Sequence, residues 1–225
     1  MIEKPRDPIL AVPSADDITG HALVEMGYPN PDAADREMRK KTGAEVMAIA
    51  GIAGTRMISS TLIIDDHSGK VASPDIPSRL IREYLSRATG PAFMIAFAVT
   101  LGSGVEEYLA GLRNKDSILQ SLMAESAASA LAELFAEQIE SHFSRELARM
   151  GLRASRRISP GFCDWPLFAG QNFIAGLIDV AEIGISISNS SMMIPRKSVT
   201  SLMFGAQAVP FHSFCPLCGA ATCAW

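Results

Sequence analysis

Residues 116–149, DSILQSLMAESAASALAELFAEQIESHFSRELAR, give the strongest structural signal in this chain. Apolar side chains recur there every three or four residues, the period of an amphipathic helix: Ile118, Leu119, Leu122, Met123, Ala127, Ala130, Leu131, Leu134, Phe135 and Ile139. With Asp116 as its N-cap, we predict one helix that reaches about Arg149. The small residues 126–130 make the middle of this helix slim, which permits close packing against a sheet.

Capping residues and proline positions predict four shorter helices. Ser14 begins a capping box, and Asn30-Pro31 supplies an N-cap followed by a proline at the first helical position. Gly90 is expected to be the glycine that terminates the third helix. The predicted spans are Ser14 to about Gly27, Asn30 to about Ala50, Ile76 to Gly90, and Gln171 to Val180.

Apolar and β-branched runs predict the strands. They are Ser59–Ile64, Ala92–Thr100, Ile183–Ser188 and Ser198–Phe204. A polar turn at Asp65–Gly69 follows the first strand, and the last two are expected to pair with each other. Because helices and strands mix without a regular βαβ rhythm, we predict an α+β fold with a mainly antiparallel twisted sheet, a long central helix and flanking helices.

Bulk composition excludes several classes of protein. The chain has 225 residues, of which 48% are hydrophobic and 20% charged, as in a packed globular domain. A net charge of −4 and a pI near 5.6 argue against a nucleic-acid partner. The longest apolar run, Pro91–Val99, is too short for a membrane span, and the charged N-terminus lacks a signal-peptide core. We therefore expect a cytoplasmic protein whose cysteines are not in disulfides by default.

The segment RISPGFCDWP, residues 157–166, combines a guanidinium, a Pro-Gly corner and two aromatic rings. Arginine offers a planar fork that matches a carboxylate, and glycine lets the backbone approach a ligand closely. The pattern is typical of a small-molecule cradle. Taken alone, it is equally compatible with an ordinary β-turn whose arginines are solvated.

Arg157, Gly161 and Phe162 form the pattern Arg-x-x-x-Gly-aromatic, which resembles the S-adenosylmethionine signature in the activation (reactivation) domain of vitamin B12 (cobalamin)-dependent methionine synthase. Three more segments resemble that domain in the same order. Residues 96–107 resemble its central strand and the loop after it. Residues 131–137 resemble its long helix, and residues 183–199 resemble the strand pair that follows the signature. The resemblance covers roughly residues 90–205.

The resemblance implies a set of cofactor-binding residues. Arg157 would anchor the carboxylate of S-adenosylmethionine and Glu133 its ammonium group, although Glu133 could equally be a surface residue of an amphipathic helix. Ser159 would contact the adenine through its backbone, beside Gly161. Phe162 stands where the family usually has tyrosine, so a hydroxyl is lost there. The acidic ligand-binding residue that the family carries near its N-terminus has no recognisable counterpart before residue 90.

Cysteines near the end of the chain give a separate signal. Cys215, Cys218 and Cys223 have the spacing C-x₂-C-x₄-C, which suits thiolate binding of zinc or an iron–sulfur cluster. Cys163, inside the signature, or His212 could be the fourth ligand. The alternative is three free thiols in a tail.

No corrinoid-binding domain is recognisable in the sequence. Asp65-Asp66-His67-Ser68-Gly69 begins like a cobalt-ligand motif, but its glycine comes one residue early and no βα repeat follows. A G-x-G-x-x-G loop is also absent, which argues against a Rossmann-type methyltransferase. Any corrinoid would therefore be carried by a partner protein.

These observations predict a stand-alone reactivation module in a cobalamin-dependent methyltransferase system of methionine biosynthesis. It would bind S-adenosylmethionine and support reductive methylation of cob(II)alamin on a corrinoid protein or on a methionine synthase without its own activation domain, with a possible electron-donor protein. No catalytic residue of its own is assigned. The expected organisation is an N-terminal extension (1–90), the ligand-binding core (91–209) and the cysteine-rich tail (210–225). One alternative is a metal- or iron–sulfur-binding electron-transfer adaptor that has lost the ligand; another is a purely structural interaction module.

Overall fold

The computed structural model describes residues 5–64, 75–113, 117–210 and 212–218. Its strands are β1 (Arg56–Ile63), β2 (Thr89–Thr100), β3 (Arg153–Ala154), β4 (Ser186–Ile187), β5 (Met193–Ile194) and β6 (Ser198–Ala208). Four of them form an antiparallel sheet in the order β1-β2-β6-β3, and β4 pairs with β5 in a small separate sheet. The predicted α+β class is confirmed.

Helices cover both faces of the larger sheet. They are α1 (Ala15–Glu25), α2 (Arg36–Ile52), α3 (Arg79–Ser86), α4 (Ser103–Arg113), α5 (Ile118–Arg149), α6 (Leu167–Ala175) and α7 (Cys215–Cys218), with 3-10 turns at Pro31–Ala33 and Val180–Ile183. Within the described part of the chain, none of these helices has the length and apolarity that crossing a bilayer requires.

The central strand β2 separates two hydrophobic cores. Phe93, Ile95, Phe97 and Val99 point into a core that α1, α2, α4 and α5 share. The alternate residues Met94, Ala96 and Ala98 point into a second core with α3 and α6. Because both faces of β2 are buried, its sequence is a continuous apolar run instead of an alternating one.

The long helix α5 lies directly on the sheet, as its slim middle predicted. Ala124, Ala127 and Ala128 are fully buried between the helix and its neighbours. Gly205 of β6 lies beneath Leu147 so closely that an added Cβ would be 2.5 Å from a Leu147 methyl group. Small residues on both elements therefore bring α5 close enough to the sheet edge to place its polar side chains beside the signature.

Helix N-termini were predicted with mixed success. Ser14 is confirmed as the N-cap of α1, since Asp17 N donates to Ser14 Oγ over 3.1 Å; the Asp17 carboxylate accepts from the Ser14 hydroxyl at 2.6 Å. The prediction that α2 begins at Asn30-Pro31 was wrong: those residues begin the 3-10 turn. Asp35 is the actual N-cap of α2 and accepts from Met38 N at 2.7 Å.

Three further predictions were wrong. Gly90 does not terminate α3 but lies inside β2 at an irregularity between Thr89 and Ala92. Residues 105–107, which were expected in the loop after the central strand, lie in helix α4, where Val105, Leu109 and Leu112 are buried at helical spacing. The expected pairing of 183–188 with 198–204 does not occur, because Gly184 has a φ of 81° and ends a 3-10 turn, whereas β6 pairs with β2.

The prediction of Asp116 as the N-cap of the long helix was wrong: α5 begins at Ile118 and its N-cap position is Ser117. The predicted turn at 65–69 lies outside the described residues. The three-part division of the chain stays a prediction.

Candidate ligand-binding site

Arg157 is the first residue of the signature loop, which we define as residues 157–165 and which follows β3. The next residue, Ile158, exchanges two backbone hydrogen bonds of 2.8 Å with Leu202 on β6. This bridge holds the segment against the sheet edge and turns the Arg157 side chain towards α5. Arg157 is only 4% exposed, so it is not one of the solvated arginines of an ordinary turn.

The Arg157 guanidinium contacts two carboxylates of α5. Its Nη2 donates to Glu133 Oε1, and its Nε lies 3.2 Å from Glu140 Oε2. Arg156 also pairs with Glu140, with 2.6 Å between Nε and Oε1. Glu140 is thus held between two arginines and its side chain is 10% exposed, whereas 39% of the Glu133 side chain remains exposed. Glu133 therefore has one oxygen held by Arg157 and an accessible surface for a ligand.

The signature loop is braced by its own backbone. Phe162 N donates to Ser159 O, Trp165 N to Phe162 O, and Gly161 N to Trp165 O at 2.9 Å. Gly161 has a φ of 95°, a conformation that side chains disfavour, which explains the glycine at this position. Cys163 adopts a φ of 53°. A loop tied in this way presents a fixed shape to a ligand.

Asp164 attaches the loop to helix α3. Its carboxylate accepts hydrogen bonds from Ser78 Oγ at 2.6 Å and from Leu80 N at 3.0 Å. Burial by itself would raise the pKa of Asp164, but these hydrogen bonds and the charge of Arg79 outweigh it and lower the pKa. The aspartate is therefore an anionic cap on the first turn of α3, and it positions the loop from the side opposite α5.

Glu25 on α1 is a site residue that the sequence did not reveal. It lies beside Glu133 in a groove of about 580 Å³ that Asp16, His21 and Arg39 also line. Burial raises the pKa of Glu25; the charge of Lys197 opposes this and the charge of Glu133 adds to it.

Lys197 is tied to the same region by direct contacts. Its Nζ donates to Ser129 Oγ at 2.7 Å and lies 2.9 Å from Glu125 Oε2. Interaction with the Ser129 side chain also lowers the pKa of Glu25, against the effect of burial. The groove therefore places two carboxylates, Glu25 and Glu133, next to each other, while much of the Lys197 charge is already directed at Glu125. This arrangement suits a cationic ligand group such as an ammonium or a sulfonium.

A second, apolar cleft lies on the other side of Arg157. It has a volume of about 250 Å³, and its lining comes from the signature loop and from the segment after β6: Arg156, Arg157, Ile158, Phe162, Cys163, Ser213, Phe214 and Cys215. Arg157 lines this cleft and also contacts Glu133, so the cleft and the acidic groove adjoin the same ion pair. An elongated ligand with a cationic end and an apolar end would match the two depressions.

The predicted metal ligands are only partly brought together. Cys163 and Cys215 line the same apolar cleft, and Cys218 is half-buried at the end of α7. Cys223 lies outside the described residues. Among the residues that the structure does describe, no three His, Cys, Asp or Glu side chains converge as a metal site.

Comparison with known protein families identifies the family of this chain. Residues 74–215 match the family model described as vitamin B12 dependent methionine synthase, activation domain. The match spans more than half of the chain, so the chain belongs to this family. No curated protein sequence matches it significantly.

A solved structure supports the same fold. It is described as the MetH reactivation domain bound to AdoHcy, and it superimposes with a TM-score of 0.64 at 13% sequence identity. The alignment covers 93% of this chain and 80% of that one. The resemblance to the methionine synthase activation domain that the sequence predicted is confirmed.

The predicted binding residues occupy one region of the molecule. Glu133 and Arg157 touch each other, and Gly161 and Phe162 form the adjoining loop. Ser159 is 8% exposed; its hydroxyl lies 2.7 Å from Ser201 Oγ and its carbonyl accepts from Phe162 N. Their roles towards a ligand stay predictions.

Proposed function

We propose that this chain binds S-adenosylmethionine between the acidic groove and the apolar cleft and supports reactivation of a cobalamin-dependent methionine synthase in trans. The observation that carries the proposal is the Arg157–Glu133 ion pair. It joins the residues of the family-like signature to an exposed carboxylate of α5, with Glu25 beside it. Family membership supports the same conclusion.

The residues would bind and orient the ligand instead of performing chemistry on it. Glu25 and Glu133 would face its ammonium and sulfonium charges, because two adjacent carboxylates are stabilised by a cation between them. Arg157 would either bind the ligand carboxylate, as the sequence predicts, or hold Glu133 in position. The braced backbone of residues 159–165 would fix the distance between the two ends of the ligand.

The ligand and the partner would supply the reactive groups. S-adenosylmethionine would supply the methyl group of its sulfonium and be released as S-adenosylhomocysteine, and a donor protein would supply one electron; together these would return the cob(II)alamin of the partner to its methylated form. We propose a corrinoid-carrying partner because the chain belongs to the activation-domain family of a vitamin B12 dependent methionine synthase.

Calorimetry provides the direct test. Titration of the chain with S-adenosylmethionine, alone and with a corrinoid-loaded methionine synthase, should show saturable binding under at least one condition. The variant Glu133→Gln should lose most of that binding, whereas Glu137→Gln, one turn further along α5, is a matched control that should not. Absence of binding under both conditions would contradict the proposal.

A second candidate function is a metal- or iron–sulfur-binding electron-transfer adaptor. The observation that favours it is that Cys163 and Cys215, 52 positions apart in the sequence, line one cleft. If Cys163 completes a site with Cys215, Cys218 and Cys223, then Cys163→Ser should release metal as fully as Cys218→Ser does. Metal analysis and the absorption spectrum of anaerobic protein measure this. Full metal content in Cys163→Ser would make the tail an independent site.

A further inference from the structure

The segment after β6 forms one side of the apolar cleft. Ser213, Phe214 and Cys215 line it opposite residues of the signature loop, among them Phe162 and Cys163. Without residues 213–215 the loop side would face solvent, and the depression would be a flat surface. The cleft therefore exists because the chain continues beyond the sheet and folds back.

Residues 212–218 are attached firmly enough to act as a wall. Arg156 N donates to His212 O at 2.6 Å, and His212 Nδ1 lies 3.3 Å from Ala154 O. Two further backbone bonds, from Leu217 N and Cys218 N to Phe214 O, form the single turn of α7. The segment is thus hydrogen-bonded both to β3 and within itself.

Phe214 is the anchor of this segment. Its ring lies 4.5 Å from the Tyr84 ring and 6.2 Å from the Phe204 ring, centroid to centroid, and the residue is 5% exposed. Both centroid distances lie within the range in which aromatic rings attract each other, so these contacts hold Phe214 in place. Cys215, the next residue, is exposed at the mouth of the cleft.

We propose that residues 212–218 are the second wall of the ligand site and contact the adenosyl end of S-adenosylmethionine through Phe214 and Cys215; this inference rests on the proposed function. The charges separate the two ends of the ligand. The acidic groove at Glu25 and Glu133 suits the cationic amino-acid end, which leaves the less polar purine for the apolar cleft. A volume of about 250 Å³ is below the roughly 300–1,000 Å³ of whole-ligand pockets, so the cleft would hold only part of the ligand.

The thiol of Cys215 reports on this contact. N-ethylmaleimide labelling of the intact chain, followed by peptide mass spectrometry, gives separate rates for Cys215 and Cys218. Saturating S-adenosylmethionine should slow labelling of Cys215 at least about five-fold and leave the rate at Cys218 nearly unchanged, because Cys218 does not line the cleft. S-adenosylhomocysteine and adenosine should also slow it, whereas methionine should not.

The same experiment distinguishes the failure of this inference from that of the proposed function. If calorimetry shows binding of S-adenosylmethionine but the labelling rate of Cys215 is unchanged, residues 212–218 do not line the ligand site. The proposed function would then still hold. If methionine slows the labelling of Cys215 and adenosine does not, the amino-acid end of the ligand occupies the cleft. That result would contradict the proposed orientation and therefore the inference. Absence of calorimetric binding would overturn the function and the wall together.

Variants of Phe214 give a second, independent measurement. Phe214→Ala should weaken S-adenosylmethionine binding about ten-fold, and Phe214→Tyr should restore most of the affinity because it keeps the ring. Phe173→Ala, another aromatic truncation on the same side of the sheet but away from the cleft, is the control and should bind normally. Equal affinity of Phe214→Ala and wild type would contradict the wall.

Discussion

Arg157 and Glu133, 24 residues apart in the sequence, form an ion pair in which the guanidinium is almost fully buried and the carboxylate is partly exposed. The resemblance suggested that these residues hold the carboxylate and the ammonium group at the amino-acid end of one ligand. Because Glu133 already holds Nη2 of Arg157, a ligand carboxylate that bound this nitrogen would have to compete with Glu133. Arg157 therefore has two separable roles, one in stability and one in binding.

Arg157→Ala should lower the free energy of unfolding by about 3 kcal/mol, because removal of one partner leaves α5 carboxylates without their buried counter-charge. The loss should stay moderate, since Glu140 keeps Arg156 and Glu133 can reach water. Urea unfolding of the variant measures it. Arg153→Ala removes an exposed arginine four residues earlier and should change stability by less than about 0.5 kcal/mol.

The same variant should weaken S-adenosylmethionine binding by roughly 2–4 kcal/mol, since a charge-assisted contact is lost. Arg157→Lys should recover only part of this, because an ammonium lacks the fork. A double-mutant cycle with Glu133→Gln identifies the role. If Arg157 acts only by positioning Glu133, the double variant binds no worse than Glu133→Gln; if Arg157 contacts the ligand, the losses add. Equal affinity of all the variants and wild type would place the site elsewhere.

Glu25 should make ligand binding depend on pH. Because the pKa of Glu25 lies above its ordinary value of 4.5, the carboxyl takes up a proton as pH falls through a range where an ordinary glutamate is still ionised. Binding of a cationic ligand requires the ionised form, so affinity should fall as pH is lowered through that raised pKa.

Glu25→Gln provides the control for this pH dependence. The variant should bind the ligand weakly at neutral pH, and its affinity should not fall further as pH is lowered. Calorimetry between pH 5 and pH 8 compares the two proteins. A parallel pH profile for wild type and variant would show that Glu25 does not contact the ligand charge.

Local signals in the sequence predicted the fold well, but long-range relationships were out of reach. The N-cap at Ser14 and the helix over residues 118–149 depend on neighbours within one or two turns, and both were confirmed. Val105, Leu109 and Leu112 carried a helical period that would have identified α4. The pairing partner of β6 depends on which apolar strand lies at the centre of the sheet. Residues 183–188 have the composition of such a strand, but the central strand is β2.

The residues of the candidate site also fall into two groups, those that one local motif identifies and those that only tertiary packing brings together. Arg157, Gly161 and Phe162 lie within one short motif, so the sequence could identify them together. Glu25 reaches Glu133 only because α1 packs beside α5, and no spacing in the chain encodes that contact. Phe214 and Cys215 likewise join the signature loop through tertiary packing alone.

Asp164 should stabilise the protein in a pH-dependent way. Asp164→Ala removes the acceptor for Ser78 Oγ and Leu80 N and should cost about 1 kcal/mol of unfolding free energy, as loss of a helix cap does. The pKa of Asp164 in the folded protein is lowered, so its stabilisation is present above the unfolded value of about 3.9 and is lost as pH falls through the folded pKa. The difference in stability between wild type and Asp164→Ala should therefore shrink below about pH 4. A difference that stays constant down to pH 2 would contradict the ionic role.

Gly170 on α6 should be required for the shape of the signature loop. A Cβ at this position would lie 2.8 Å from Pro160 Cβ and 2.9 Å from Trp165 Nε1, both in rings that cannot rotate away. Gly170→Ala should therefore displace the loop, at a cost of about 1–3 kcal/mol in stability, as overpacking does, and should weaken ligand binding in parallel. Gly111→Ala in α4 meets no atom within 4 Å, lies at an exposed position outside the groove and the cleft, and is the matched control, expected to be neutral or stabilising by up to about 1 kcal/mol because alanine favours a helix. Thermal unfolding and calorimetry measure both variants. If Gly170→Ala unfolds and binds like Gly111→Ala, the loop does not depend on close contact with α6.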